Sequence, residues 1–170
     1  NQISDKGAGL IAESDTLSRL EEMNLNYNQV HGPGALKLTQ STKLKNLKSI
    51  QLTYNPIEKS GKEAWKRFQL MEWFKEMHRS NRLNEVGEGF IGNLGVDVLL
   101  QFPFASDLKI LDLKNNDLTD EAVIALSQSE KLKHLVSLDL SQNNITDAGA
   151  KALAKSSNMV KLKKLDLNFN

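Results

Sequence analysis

A nine-residue pattern recurs along the chain and constrains its fold more than any other feature of the sequence. The pattern is Leu-x-x-Leu-x-Leu-x-x-Asn, and it occurs without gaps at residues 20–28, 47–55, 108–116, 135–143 and 162–170, with Met23 and Ile50 in place of the second leucine. The positions of the closing asparagines, 28, 55, 116, 143 and 170, differ successively by 27, 61, 27 and 27. A fixed period of this length indicates one supersecondary unit repeated along the chain.

The spacing of apolar residues inside the unit predicts its secondary structure. The last two leucines of the pattern alternate with other residues, which is the period of a strand with one buried face. After the asparagine, apolar residues recur at three-to-four spacing, as in residues 145–156, which predicts an amphipathic helix with Thr146 or Asp147 capping its first turn. Six residues after each asparagine the side chain is always small: Gly7, Gly34, Gly61, Ala122 and Gly149.

A single unit cannot bury its own apolar stripe, so the units are predicted to stack. Adjacent strands lie about 4.8 Å apart, whereas packed helices need about 8–10 Å. The stack is therefore predicted to curve, with parallel strands on the concave face and helices on the convex face. The asparagine amide both donates and accepts hydrogen bonds, so it can satisfy backbone groups in the tight turn that follows each strand.

The segment LVSLDLSQNNITDAGAKALA, residues 135–154, resembles the ribonuclease-inhibitor-like class of leucine-rich repeats almost letter for letter. The resemblance covers nearly the whole chain and implies an α/β leucine-rich-repeat solenoid, with repeat lengths of roughly 27–29 at the long end of the range for such repeats. Related repeats occur in innate-immune receptors, GTPase-activating proteins and bacterial effectors that act inside host cells, and they share a curved surface that binds proteins. The resemblance therefore implies a protein-binding function and a cytoplasmic location, such as that of an effector in a host cell.

The ends of the pattern predict that residues 1–170 form one leucine-rich-repeat domain taken from a longer array. Asn1 fits as the last residue of a further copy, and Asn170 closes the final one. Neither end carries a polar cap, so further repeats of the same parent chain are expected at both ends.

The composition argues against several functional classes. The absence of cysteine excludes a disulfide framework, thiolate metal sites and a cysteine nucleophile. The 22 basic and 21 acidic residues leave a formal charge of +1, which removes the main electrostatic reason to expect a nucleic acid or an anionic membrane as partner. No apolar run approaches the length of a membrane-spanning helix and no charged-then-apolar leader is present, so no membrane span is predicted.

No catalytic constellation stands out in the sequence. The histidines His31, His78 and His134 are scattered without metal-ligand spacing, and no nucleophile elbow, P-loop or dinucleotide fingerprint occurs. We therefore expect no cofactor, no metal and no enzymatic activity. The leading hypothesis is a non-catalytic scaffold that binds a protein partner on its concave face. The alternative is a GTPase-activating or other catalytic regulator, for which Arg79 and Arg82 are the only arginines near an irregular inner edge.

Strand residues that point away from the core supply the candidate binding site. One column holds Asn24, Gln51, Asp112, Asp139 and Asp166, of which the three aspartates are predicted to form an acidic strip with roughly 5 Å spacing. A second column holds Tyr27, Tyr54, Asn115, Gln142 and Phe169, and exposed tyrosine offers a large contact area at low entropic cost. Two structural alternatives stay open. Aspartate is usual at its position in this family, and the tyrosines could merely shield the sheet edge.

The stretch 56–107 is irregular. Residues 84–86 resemble residues 28–30, so a degraded unit is anchored on Asn84, which divides the long gap between Asn55 and Asn116 into 29 and 32 and places Leu94 in an apolar helix column. The strand expected before Asn84 is degraded, and Phe74 and Met77 supply its apolar pair only if two residues are looped out before Asn84. A helix longer than the others is predicted over 61–77. Two alternatives stay open: the aromatic residues fill a wider core, or Trp73, Phe74 and the loop 78–82 contact a ligand.

Overall fold

The computed structural model describes residues 1–83, 86–87 and 89–170 of the chain. These residues form an α/β repeat fold in which short parallel strands alternate with helices. The chain divides into two compact units, Asn1–Glu72 and Trp73–Asn170. No helix of the described residues is long and apolar enough to cross a membrane.

Unit 1 contains two full strand–helix repeats. Its elements are α1 (Asp5–Ala12), β1 (Glu22–Asn24), α2 (Gly32–Thr39), β2 (Ser49–Gln51) and the first part of α3 (Lys59–Arg79). The two strands are parallel, with Met23 opposite Ile50. Both of these side chains are buried, as are the leucines two positions further along each strand. The core of the unit therefore lies between its strands and its helices, as the period-two pattern predicts.

Unit 2 contains three strands in one parallel sheet, in the order β3 (Ile110–Asp112), β4 (Ser137–Asp139) and β5 (Lys164–Asp166). Leu111, Leu138 and Leu165 lie in register. The helices are α4 (Gly92–Leu99), α5 (Asp120–Gln128) and α6 (Asp147–Ala154), and two short 3₁₀ helices (Pro103–Asp107 and Glu130–His134) precede β3 and β4. The hydroxyl of Thr146 accepts a hydrogen bond from the N–H of Ala148, which confirms the predicted cap of α6.

The closing asparagines satisfy backbone groups of the turns, as the sequence predicts, and they also join neighbouring repeats. Within unit 1 the Asn55 Oδ1 accepts from the N–H of Val30 at 3.0 Å, and its Nδ2 donates to the carbonyls of Leu25 and Leu52 at 2.7 and 3.0 Å. Each amide therefore satisfies backbone groups of its own turn and of the preceding repeat. These groups would otherwise be buried without partners.

The small side chain six residues after each asparagine permits close packing between successive helices. A Cβ atom added to Gly61 would stand 2.6 Å from the Cα of Gly32 on α2 and 2.6 Å from the Cγ2 of Ile57. Backbone cannot move aside as a flexible side chain can, so only the smallest residue fits there. The small column is thus a packing requirement of the repeat.

The prediction of a strand before Asn84 is wrong where the chain is described. Helix α3 has 21 residues and runs to Arg79, so Phe74 and Met77 are buried helical residues and not the apolar pair of a strand. The predicted long helix is confirmed and extends two residues beyond its expected end. Asn84 itself lies outside the described residues.

Hydrogen bonds show that the irregular repeat is anchored on Gly89. The N–H of Ile91 donates to Oδ1 of Asn116 at 3.2 Å, just as Leu118 donates to Asn143 in the next repeat. Gly89 precedes Ile91 by two residues, as Asn116 precedes Leu118, so glycine occupies the asparagine column. The interval from Gly89 to Asn116 is then the regular period (116 − 89 = 27), and the interval from Asn55 to Gly89 is the long one (89 − 55 = 34).

The same register corrects the helix that follows Gly89. Leu99, ten residues after Gly89, is fully buried like Leu126, which lies ten residues after Asn116. Leu94 is half-buried and does not belong to that column. The prediction failed because glycine lacks the side-chain amide that identifies this position in the other repeats. The sequence pattern instead indicates Asn84, five residues earlier, as the closing asparagine.

Candidate functional site

The turn that follows each strand holds the residue before the closing asparagine in a left-handed backbone conformation. In the five regular repeats this residue has φ between 53° and 59°, at Tyr27, Tyr54, Asn115, Gln142 and Phe169. Such positive φ values are uncommon for residues other than glycine. The conformation turns the chain back toward the closing asparagine, and four of the five residues that adopt it are exposed, Asn115 being half-buried. This left-handed backbone conformation could not be predicted from the pattern of side chains.

The two tyrosines of this column form an exposed, ordered pair in unit 1. Tyr27 and Tyr54 are 61% and 69% exposed, and their rings stack with centroids 4.4 Å apart and planes 14° apart. The N–H of Tyr27 donates to the carbonyl of Thr53 at 3.0 Å, which fixes the spacing of the two turns. These two residues, called the tyrosine pair below, therefore present a prearranged aromatic surface.

Carboxamide side chains surround the tyrosine pair. The Nδ2 of Asn26 donates to Oε1 of Gln51 at 3.1 Å, and the Oδ1 of Asn26 accepts from the N–H of Thr53 at 2.8 Å. Asn24 closes its own turn by accepting from the N–H of Asn26 at 3.0 Å. The structure thus links Asn24 and Gln51 through Asn26, which directly precedes Tyr27 in the chain and was not among the residues predicted from the sequence.

The three aspartates of unit 2, called the aspartate column below, lie in register on β3, β4 and β5. Each uses its Oδ1 to accept from the backbone N–H two residues further on: Lys114 for Asp112 at 2.9 Å, Ser141 for Asp139 at 2.8 Å and Asn168 for Asp166 at 2.8 Å. These are Asx turns, in which a short side chain shapes the loop after the strand. The contacts favour the structural alternative for the aspartates.

The remaining predicted residue of unit 2, Phe169, is 75% exposed. It occupies the same left-handed position as the tyrosines, and the structure records no ring packed against it in the described part of unit 2. It is therefore available at the surface without the prearrangement of the tyrosine pair.

The aromatic residues of the irregular repeat divide into buried and exposed members. Phe74 is fully buried and packs against Trp73 and Phe102, with ring centroids 5.0 and 6.4 Å apart, so it fills the core of unit 2. His78 is exposed and stacks on Phe104 at 4.3 Å. Arg79, one of the arginines that a GTPase-activating role would need, forms an ion pair with Glu76 at 3.0 Å.

Carboxylates from one repeat receive hydrogen bonds from the first turn of the next repeat's helix. Asp120 accepts from the hydroxyl and the N–H of Thr146 at 2.7 and 2.9 Å and from the N–H of Gly149 at 2.8 Å. These bonds, the hydroxyl bond foremost, hold the pKa of Asp120 below its usual value. The arrangement places negative charge at a helix N-terminus and is structural in character.

Within the described residues, no group of three or more histidine, aspartate and glutamate side chains could hold a metal ion. The candidate site of unit 1 consists of the tyrosine pair and the neighbouring carboxamide groups.

Comparison with protein families identifies part of this architecture. Residues 105–127 and 131–154 match a family model described as Leucine Rich repeat. These two segments are therefore similar to leucine-rich repeats. The two matched leucine-rich repeats contain β3 with most of α5, and β4 with α6. No curated protein matches the sequence. The ribonuclease-inhibitor-like class stays a prediction of the sequence.

Proposed function

We propose that this leucine-rich-repeat chain is a non-catalytic recognition scaffold that binds a protein partner through the exposed faces of its parallel strands. Leucine-rich-repeat domains commonly mediate protein–protein interaction. The observation that carries the proposal is the tyrosine pair, because two large aromatic rings are exposed and yet held in a fixed arrangement.

Fixed, exposed tyrosines suit a binding surface for energetic reasons. Binding usually costs entropy for each side chain that becomes ordered, and that cost is smaller when the rings already stack on one another. Tyrosine is also enriched among the residues that dominate interface energies. Asn24 and Gln51 supply polar groups beside the rings that can orient a partner. A partner with an apolar or aromatic patch fits this part of the strand face.

The aspartate column extends the proposal to the charge of the partner. One oxygen of each aspartate closes a turn, while the carboxylate group retains its negative charge. A basic patch on the partner would be attracted to this column, and such charges mainly raise the association rate. Phe169 would add an apolar contact. We therefore propose Asn24, Tyr27, Gln51, Tyr54, Asp112, Asp139, Asp166 and Phe169 as partner-binding residues, with a cytoplasmic location.

The test compares the double variant Tyr27→Ala, Tyr54→Ala with a charge variant on α6 and the loop that follows it, Lys151→Ala, Lys155→Ala, Lys161→Ala. Proteins captured from cell extract by the immobilised chain are identified by mass spectrometry, and a purified candidate is titrated calorimetrically against each variant. We expect the tyrosine variant to bind about thirtyfold more weakly, since an aromatic anchor contributes about 2 kcal/mol, with little change in thermal unfolding.

The lysine variant should bind the partner as the unmodified chain does. Unchanged affinity in the tyrosine variant, together with loss of affinity in the lysine variant, would move the binding site to the helices and contradict the proposal.

A further inference from the structure

A groove of about 590 Å³ opens beside the start of β3 in unit 2, far along the sequence from the tyrosine pair. We call it the β3 groove; it is lined by His78, Asn81, Leu83, Phe104, Asp107, Leu108, Lys109 and Ile110. Its volume falls within the range of about 300–1,000 Å³ that is usual for ligand-binding clefts. The residues that create it depart from the repeat pattern in two opposite ways.

The first departure places polar residues where the repeat buries leucine. His78 and Asn81 stand as far before Gly89 as Leu132 and Leu135 stand before Asn143 (89 − 78 = 143 − 132, and 89 − 81 = 143 − 135). The correspondence is structural, because the N–H of Asn81 donates to the carbonyl of His78 at 3.1 Å and that of Leu135 donates to Leu132 at 3.0 Å. Both leucines are fully buried, whereas His78 and Asn81 are exposed. The apolar core is therefore interrupted at His78 and Asn81, which leaves a groove at the surface.

The second departure places an apolar residue where the next two repeats carry polar ones. Ile110 lies opposite Ser137, which in turn lies opposite Lys164, and Ile110 is 54% exposed. More than half of this β-branched apolar residue therefore stays in contact with water and gains no stabilisation from burial within its own chain. Ile110 lines the same groove that opens where His78 and Asn81 stand in place of buried leucines.

The floor and the rim of the β3 groove indicate what it fits. His78, Phe104 and Phe102 form a continuous stack of nearly parallel rings, at 4.3 and 4.7 Å and with planes 14° and 12° apart. An aromatic side chain packs favourably against such a surface. Asp107 and Lys109 carry opposite charges on the rim, one residue to either side of Leu108.

We propose that the β3 groove binds an extended peptide segment of a partner protein that inserts one aromatic side chain between Ile110 and the ring stack. The residues flanking the aromatic one carry a cation opposite Asp107 and an anion opposite Lys109. This site does not depend on the tyrosine pair, so either surface can fail its test without the other.

The test uses the blocked tripeptide Ac-Lys-Trp-Glu-NH2 and its alanine analogue Ac-Lys-Ala-Glu-NH2 as probes. Each is titrated into the full chain with isotope-labelled isoleucine and leucine methyl groups, observed by NMR. The tryptophan peptide should produce saturable shifts at the methyl groups of Leu83, Leu108 and Ile110. The alanine analogue should bind about tenfold more weakly, since the aromatic side chain provides the main contact.

Two variants separate the groove from a general surface effect. Ile110→Ser introduces the residue found at the matching position of β4 and should lower the affinity for the tryptophan peptide about tenfold. His78→Leu restores the buried column, so it should raise the unfolding temperature while also weakening binding. The control Ile124→Ser changes an exposed isoleucine on α5 and should leave binding unchanged.

Three results would overturn the proposal: no saturable shifts at those three methyl groups, equal binding of the two peptides, or full binding by Ile110→Ser. The Tyr27→Ala, Tyr54→Ala variant should bind the tryptophan peptide as the unmodified chain does, and loss of binding there would place the peptide on the tyrosine pair.

Discussion

Single asparagine side chains hold successive repeats together at the residue scale. Asn143 makes five hydrogen bonds: its Oδ1 accepts from Asn116 and Leu118, and its Nδ2 donates to Leu113, Leu140 and Ser141. The side chain is almost completely buried. A buried polar group that loses its partner costs more than the bond itself contributes. The asparagine therefore stabilises two turns at once.

Asn143→Ala should lower the free energy of unfolding by about 1–3 kcal/mol, because backbone groups in two repeats lose their partners. Urea denaturation followed by circular dichroism measures the change. Asn144→Ala is the matched control, since that neighbouring amide is exposed and bonds to the side chain of Asp117. Its effect should stay within about 0.5 kcal/mol. Equal effects of the two variants would refute the structural role of the buried amide.

The sequence predicted those residues whose side chains carry the repeat and missed those defined by the backbone. Leucines and asparagines recur because their chemistry is required, and their periods are visible in the letters alone. The left-handed turn at Tyr27 depends on a positive backbone φ angle, which the presence of a tyrosine in the sequence does not indicate. The role of Gly89 was not predicted because this glycine occupies the position of the closing asparagine but has no side-chain amide.

Helix packing sets the constraint at the element scale. Gly61→Ala should destabilise the chain by about 1–3 kcal/mol, because the new methyl group would overlap the backbone of α2. Gly9→Ala is the matched control: it also lies within a helix, and its added Cβ would meet only the flexible side chain of Lys37 at 3.3 Å. Alanine favours helix formation over glycine by about 1 kcal/mol, so the control should be neutral or stabilising. Thermal unfolding of both variants measures the difference, and a stabilising Gly61→Ala would contradict the close packing.

Element lengths were predictable only in the regular repeats. The apolar spacing predicts the long helix α3 but not that it continues to Arg79, since Phe74 and Met77 suit a buried strand as well as a buried helix face. Tertiary packing decided between them: Phe74 meets Phe102 from the following repeat. The β3 groove likewise depends on contacts between residues of successive repeats, such as His78 with Phe104, which no local pattern contains.

Carboxylates with lowered pKa values make stability pH-dependent at the scale of the whole molecule. Hydrogen bonds from Thr146 lower the pKa of Asp120, a bond from Lys48 lowers that of Glu21, and backbone N–H groups of Glu58 itself and of Gly32 lower that of Glu58. A lowered folded-state pKa means that these groups stabilise the chain above their unfolded values, about 3.9 for aspartate and 4.3 for glutamate. That stabilisation is lost as the pH falls through the folded pKa.

The midpoint of thermal unfolding should therefore be nearly constant on lowering the pH toward about 5 and should fall below about 4. Calorimetry from neutral pH into the acid range below the carboxylate pKa values measures the profile. The variant Asp120→Asn, Glu58→Gln keeps side-chain oxygens that accept hydrogen bonds and removes both charges, so its acid slope should be shallower. An identical acid slope in that variant would show that other groups govern acid unfolding.

The left-handed turn also limits the residue types with which this protein can evolve the binding of new partners. Valine, isoleucine and threonine are strongly disfavoured at positive φ, so the surface position occupied by Tyr27, Tyr54 and Phe169 is closed to them. The five regular repeats place only aromatic and carboxamide residues there. Specificity at this column can therefore change by exchanging rings and amides, whereas β-branched shapes must be presented from the strands themselves.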